Sequence, residues 1–82
     1  MSVLVTIPIE LYNGLLSRCK SVSNEYQLLK AGVITDVSNA EGDYTVVNIQ
    51  CERRSAEDLL AWAKKLYPEA SSEIVIDFDP NL

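Results

Sequence analysis

The sequence predicts an α+β domain of order βαββαβ, with a four-stranded antiparallel sheet and two helices on one face. Three observations predict it. Four runs alternate apolar and polar residues with period two, as half-buried strands do. Two longer runs repeat apolar residues at spacings of three and four, as helices do. Turn and cap residues fall between the runs.

Residues 3–9, VLVTIPI, are rich in β-branched side chains and read as the first strand. Pro8 has no N–H to give a ladder and marks the end of that strand. Residues 11–30 follow as one long helix, bent near Ser21–Asn24, with Tyr12, Leu15, Cys19, Val22, Tyr26 and Leu29 on one face. The alternative is a break, with Ser23 or Asn24 capping a second short helix. Gly32 sits where a C-cap glycine stands.

Residues 33–38 and 43–52 read as two strands joined by Asn39-Ala40-Glu41-Gly42, which is turn chemistry, and so as a hairpin. Ser55-Ala56-Glu57-Asp58 approximates a capping box for the second helix, whose apolar face is Leu59, Trp62, Ala63, Leu66 and Tyr67. Pro68 bounds that helix. Residues 73–78 are the fourth strand, and 79–82 a tail. The whole chain, 1–82, reads as one domain. With right-handed crossovers this order is the ferredoxin-like split βαβ arrangement, a fold that hosts many unrelated functions.

Choosing the more apolar parity of each strand assigns one face to the helices. That face is Val3, Val5, Ile7, Val33, Thr35, Val37, Val47, Ile49, Cys51, Ile74, Ile76 and Phe78. The other face then carries Leu4, Ile34, Tyr44, Val46 and Val75, with Thr6, Asp36, Asn48 and Asp77 around them. An apolar patch with a polar rim marks an interface. These five residues are the candidate contact residues, most simply of a twofold homodimer through the open face.

The composition narrows the chemistry. The chain has 48% apolar and 23% charged residues, which suits a folded domain rather than a disordered one. It has no histidine, which removes the commonest general base near neutral pH and every His-dependent triad. Cys19 and Cys51 form no CxxC pair and read as small apolar residues, so neither a zinc site nor a cofactor is expected. Asp36, Asp77 and Tyr44 have no spacing that marks catalysis, and no enzyme is expected. Asp77 and Asp79 share one side of strand four but lack the further ligands a cation site needs. Arg53-Arg54 reads as a solvated connection; its functional reading is a grip on an acidic partner. No signal peptide and no run near the ~20 apolar residues of a membrane span is present, which reads as a cytoplasmic protein without a membrane partner.

Nucleic acid is not an expected partner of this reading. The RNA-recognition motif shares the βαββαβ order and stacks bases on strand aromatics, but only Tyr44 is available here and the net charge is −5. Residues 5–19, VTIPIELYNGLLSRC, resemble the opening of a ribbon-helix-helix DNA reader. An antitoxin-like regulator is therefore the alternative. It fits a charge split of +1 over residues 1–30 (three basic, two acidic) and −6 over 31–82 (four basic, ten acidic). A second alternative is an acidic decoy that occupies the basic groove of a nucleic-acid enzyme. The expectation is a small acidic protein, not an enzyme, acting by protein–protein contact.

Overall fold

Val3, Val5 and Ile7 alternate with partly exposed residues, and this alternation becomes strand β1 (Ser2–Pro8). The computed structural model describes residues 2–78. After β1 come helices α1 (Ile9–Arg18) and α2 (Asn24–Lys30), strands β2 (Val33–Asn39) and β3 (Gly42–Glu52), helix α3 (Arg53–Leu66), a 3₁₀ turn (Ala70–Glu73) and strand β4 (Val75–Asp77). The strands form one antiparallel sheet in the order β2-β3-β1-β4. The class is α+β. The sheet carries three α-helices where the sequence predicts two.

The expected single helix over 11–30 is two helices. The break lets both halves reach the core, and Leu15 and Leu29 are each fully buried. Ser23 makes the break and the restart. Its hydroxyl donates to the Lys20 carbonyl at 2.7 Å and accepts from the Tyr26 N–H at 3.2 Å. Val22, expected on the apolar stripe, sits in this connection and is exposed.

Tyr12 joins the two helices. Its hydroxyl donates to the Leu29 carbonyl at 2.7 Å inside the protein. Gly32 follows α2 and allows a close approach to the sheet, because a methyl group there would overlap Val47 Cγ1. Pro8 closes β1 as expected, and α1 starts at the next residue.

α3 also starts earlier than predicted. It begins at Arg53 behind Glu52, with no side-chain cap, so Ser55 lies inside the first turn rather than at the N-cap. Its apolar face is as expected. Leu59 and Ala63 are buried, and Trp62, Leu66 and Tyr67 pack against the core from the edge. The chain then winds into the 3₁₀ turn, where the buried Ser71 hydroxyl donates to the Pro68 carbonyl at 3.2 Å. That turn takes Glu73, and with Ile74 and Phe78 also outside the strand, β4 keeps three of the six predicted residues. Phe78, expected inward, lies beyond the end of β4 and is exposed, with the Arg53 guanidinium 4.8 Å above its ring.

The core is the odd-numbered face of β1 and β3 against the helices. Val3, Val5, Ile7, Val47 and Ile49 meet Leu11, Tyr12, Leu15, Leu29, Ala56, Leu59 and Ala63. Both cysteines are free thiols, half-buried at the margin of this core.

These caps and contacts set an order of stability effects. Ser23→Ala removes the α2 cap and lowers unfolding free energy by about 1 kcal/mol in a urea titration. Ser55→Ala changes it by less than about 0.5 kcal/mol. Gly32→Ala drives a methyl into Val47 and costs about 1–3 kcal/mol, the largest effect of the three.

Candidate interaction surface: the open face of the sheet

Residues directly paired across antiparallel strands share a face. β1 pairs Val3, Val5 and Ile7 with Cys51, Ile49 and Val47, all on the helix side. The even-numbered residues of β1 and β3 therefore point to the other side. β4 pairs Val75 with Thr6 and Asp77 with Leu4, which puts Val75 and Asp77 on that side too. The described helices pack on the opposite side, so this face is open.

Strand β2 reverses the predicted assignment. Its pairs are Ile34 with Val47 and Asp36 with Thr45 on the helix side, and Val33 with Asn48, Thr35 with Val46 and Val37 with Tyr44 on the open side. Ile34 is therefore not on the open face, and Val33, Thr35 and Val37 are. The cause is the hairpin. A two-residue turn sets Asn39 opposite Gly42, so odd residues of β2 pair with even residues of β3. Gly42 takes φ of +128°, a conformation that favours glycine, and the Asn39 side chain accepts from the Glu41 N–H at 2.9 Å. Both parities of β2 hold aliphatics, so hydropathy alone chose wrongly. The turn length is the signal in the sequence that locates Val33 and Val37.

Ile34 is 65% exposed although it faces the helix side. α1 and α3 pack on β1 and β3, and α2 packs on β3, which leaves β2 at the margin of the helix layer. There the Thr45 hydroxyl donates to the Asp36 carboxylate at 2.9 Å.

Four of the five predicted contact residues lie on the open face: Leu4, Tyr44, Val46 and Val75. Val46 is only 8% exposed, because Pro8 and Thr35 flank it on the neighbouring strands. Tyr44 at 51% and Val75 at 60% are the accessible members, with Val33 at 64%. A polar chain crosses three strands among them. The Thr6 hydroxyl donates to Asn48 Oδ1 at 2.8 Å, and Asn48 Nδ2 donates to the Thr35 hydroxyl at 3.1 Å. This chain separates Leu4 from Tyr44 and Val46, so the predicted single patch is divided. The larger part is a concave area lined by Pro8, Val37, Tyr44, Val46 and Val75, with Glu10 and Glu73 at its rim.

The cations are segregated from the strands. Arg18, Lys20, Lys30, Arg53, Arg54, Lys64 and Lys65 all lie on the helices or on the α1–α2 connection. The strands hold Asp36, Asp43, Glu52 and Asp77 and no lysine or arginine. Arg53 and Arg54, predicted as a connection, are the first turn of α3, where Arg53 lies 3.5 Å from Glu57.

Other chemistry lies elsewhere. Among the described residues no cluster of three or more Cys, Asp or Glu side chains is placed to hold a metal ion. Asp79, the second carboxylate of the sequence-predicted cation pair, lies outside the described residues, as does the rest of the 79–82 tail. No described helix is long and apolar enough to cross a membrane. Burial raises the Cys51 thiol pKa, with the adjacent Glu52 charge adding to it. Burial likewise raises Tyr12, helped by Cys19 and Tyr26. Comparison with protein-family models, with curated proteins and with solved structures found no match to this chain.

Tyr12 gives a pH test of the core. Its folded pKa lies above its ordinary value of about 10, so its contribution to stability is complete below that value and is lost as pH rises through the folded one. The urea midpoint of the wild type falls more steeply above about pH 10 than that of Tyr12→Phe. At neutral pH Tyr12→Phe is less stable by about 1 kcal/mol, the hydrogen bond to Leu29.

Proposed function

We propose that this chain is a ferredoxin-like domain that acts by protein–protein contact, not by catalysis, and that the open sheet face is its docking surface. The strand order β2-β3-β1-β4 and the two β-to-β passages through helices support the fold. The first passage uses a split helix. The observation that carries the functional reading is an accessible apolar area around Tyr44 with the carboxylates Glu10 and Glu73 beside it and no cation on the strands. Such a surface selects a partner with an apolar centre surrounded by lysine or arginine, and carboxylates at the rim speed its approach.

Thr6, Asn48 and Thr35 bond to one another, and the Tyr12 hydroxyl holds a helix carbonyl. A thiol pKa raised by burial leaves Cys51 less thiolate to act as a nucleophile. A homodimer through the same face is the second reading. Apolar Val33, Val37, Tyr44 and Val75 favour it, and the absence of strand cations to meet Glu10 and Glu73 opposes it.

A photo-crosslinking residue in place of Tyr44 separates these readings in the cell of origin. The expected product joins the chain to a different protein through a lysine- or arginine-rich contact, and its yield falls with added salt. A product of twice the 9.1 kDa chain mass means the homodimer. No product at position 44, with the same residue at Lys64 as a control on the helix layer, refutes the docking surface.

A further inference from the structure

The sheet holds β4 weakly. β1 pairs with β3 over seven residues, Ser2 to Pro8, and with β4 over three, Leu4 to Thr6. Val3, Val5 and Ile7 are buried, whereas no residue of β4 is: Val75 and Asp77 are exposed and Ile76 is half-buried at the core margin. The apolar surface of β1 and β3 is therefore covered by the helices with little help from β4. A segment with few buried apolar contacts opens locally at a free energy below that of global unfolding.

The two ends of β4 are held unequally. Before it, the 3₁₀ turn is fixed from inside. Ser71 is buried, its N–H donates to the Tyr67 carbonyl at 2.9 Å, and its carbonyl accepts from the Ile74 N–H at 3.1 Å. After β4 comes Phe78, which is exposed and carries the Arg53 guanidinium 4.8 Å above its ring. Arg53 belongs to the first turn of α3, and the Glu57 carboxylate one turn on lies 3.5 Å from its Nε. The guanidinium is thus held between a carboxylate on its own helix and a ring beyond the strand end.

We propose that β4 is a releasable strap across β1, hinged at the 3₁₀ turn and latched by Arg53 on Phe78. Release breaks the three-residue ladder and leaves the seven-residue ladder of β1 with β3 in place. It also carries Val75 away from its pairing with Thr6. Val75 lines the concave area of the open face together with Pro8, Tyr44 and Val46, so that area loses a wall when the strap opens. A partner that touches Val75 binds only the closed fraction, and its apparent affinity scales with that fraction. Arg53, on the helix layer, thereby sets how much of the surface on the other side of the sheet is formed. This consequence for docking rests on the open-face reading; the strap itself does not.

Residue-resolved amide hydrogen exchange of the full chain, followed by NMR, tests this. The amides that bond β1 to β4 exchange faster than those that bond β1 to β3, and low urea leaves their rate unchanged, because local opening exposes little surface. Arg53→Ala speeds the β1–β4 amides about two- to fivefold, the scale of an exposed cation–π contact. Phe78→Leu, which keeps an apolar side chain but loses the ring face, does the same, and the double variant is no faster than either single one. Ser23→Ala provides the crossed control. It destabilises the whole fold through the α2 cap, so it speeds the β1–β3 amides and leaves the β1–β4 amides unchanged. Arg53 and Phe78 are exposed, and a urea titration of each variant shows that it folds. β1–β4 amides that exchange as slowly as the β1–β3 set, or that Ser23→Ala accelerates, mean that β4 opens only with the whole sheet and overturn the strap. β1–β4 amides indifferent to Arg53→Ala or to Phe78→Leu overturn the latch. None of these rates involves a partner, so a failure here is distinct from a failure of crosslinking at Tyr44.

Discussion

The antiparallel pairing of β1 with β3 is the constraint on which the rest depends. It lines up Val3, Val5 and Ile7 with Cys51, Ile49 and Val47 and makes one apolar surface from two strands distant in sequence. Burying that surface supplies the main driving force for folding. The helices are placed by it. α1, α2 and α3 each bring small or aliphatic residues onto it, and β4 adds Ile76 at its far side. The same pairing sends Thr6, Tyr44, Val46 and Asn48 to the opposite face, so the core and the candidate docking surface follow from one register.

Strand β2 is held differently. Its neighbour is β3, and the helix layer stops short of it. Ile34 faces the helix side without being buried, and Val33 is exposed on the other. A sheet with a full ladder on one side of an aliphatic strand and, among the described residues, none on the other has a surface that hydrogen bonding, not hydropathy alone, defines. The open face has a different character. Its accessible residues are grouped around Tyr44, a polar chain of Thr6, Asn48 and Thr35 crosses it, and the cations of the protein are all carried on the helices or the α1–α2 connection.

Much of this was legible in the chain. The alternation of Val3, Val5 and Ile7, the terminating Pro8 and the Leu59–Tyr67 stripe each report a single local period, and each element appears where its period lies. The failures are equally particular. The Tyr12–Leu29 spacing is helical across the Ser21–Asn24 segment, yet the segment breaks. Ser23 bonds to the Lys20 carbonyl and caps α2, a local arrangement that takes the place of a helical turn. The Ser55 box has the right residues but lies one turn late, because β3 leads into α3 at Glu52 without a loop. The 3₁₀ turn at Ala70–Glu73 buries Ser71 and removes Glu73 from the fourth strand.

The sequence by itself determined the order of strand and helical segments, though not where the helices break and start, and it determined which face of β1, β3 and α3 is apolar and that the chain is acidic without histidine. These are local or compositional properties, set by side-chain period and charge. Tertiary structure decided the face of β2. Both parities of that strand hold aliphatics, and only the two-residue turn and the pairing with β3 choose between them. It also decided that Leu4 stands apart from Tyr44 and Val46, since their separation depends on hydrogen bonds between residues 42 and 13 positions apart. Which aliphatics end outside the core depends on where the helices stop, a relation between elements that no single segment encodes.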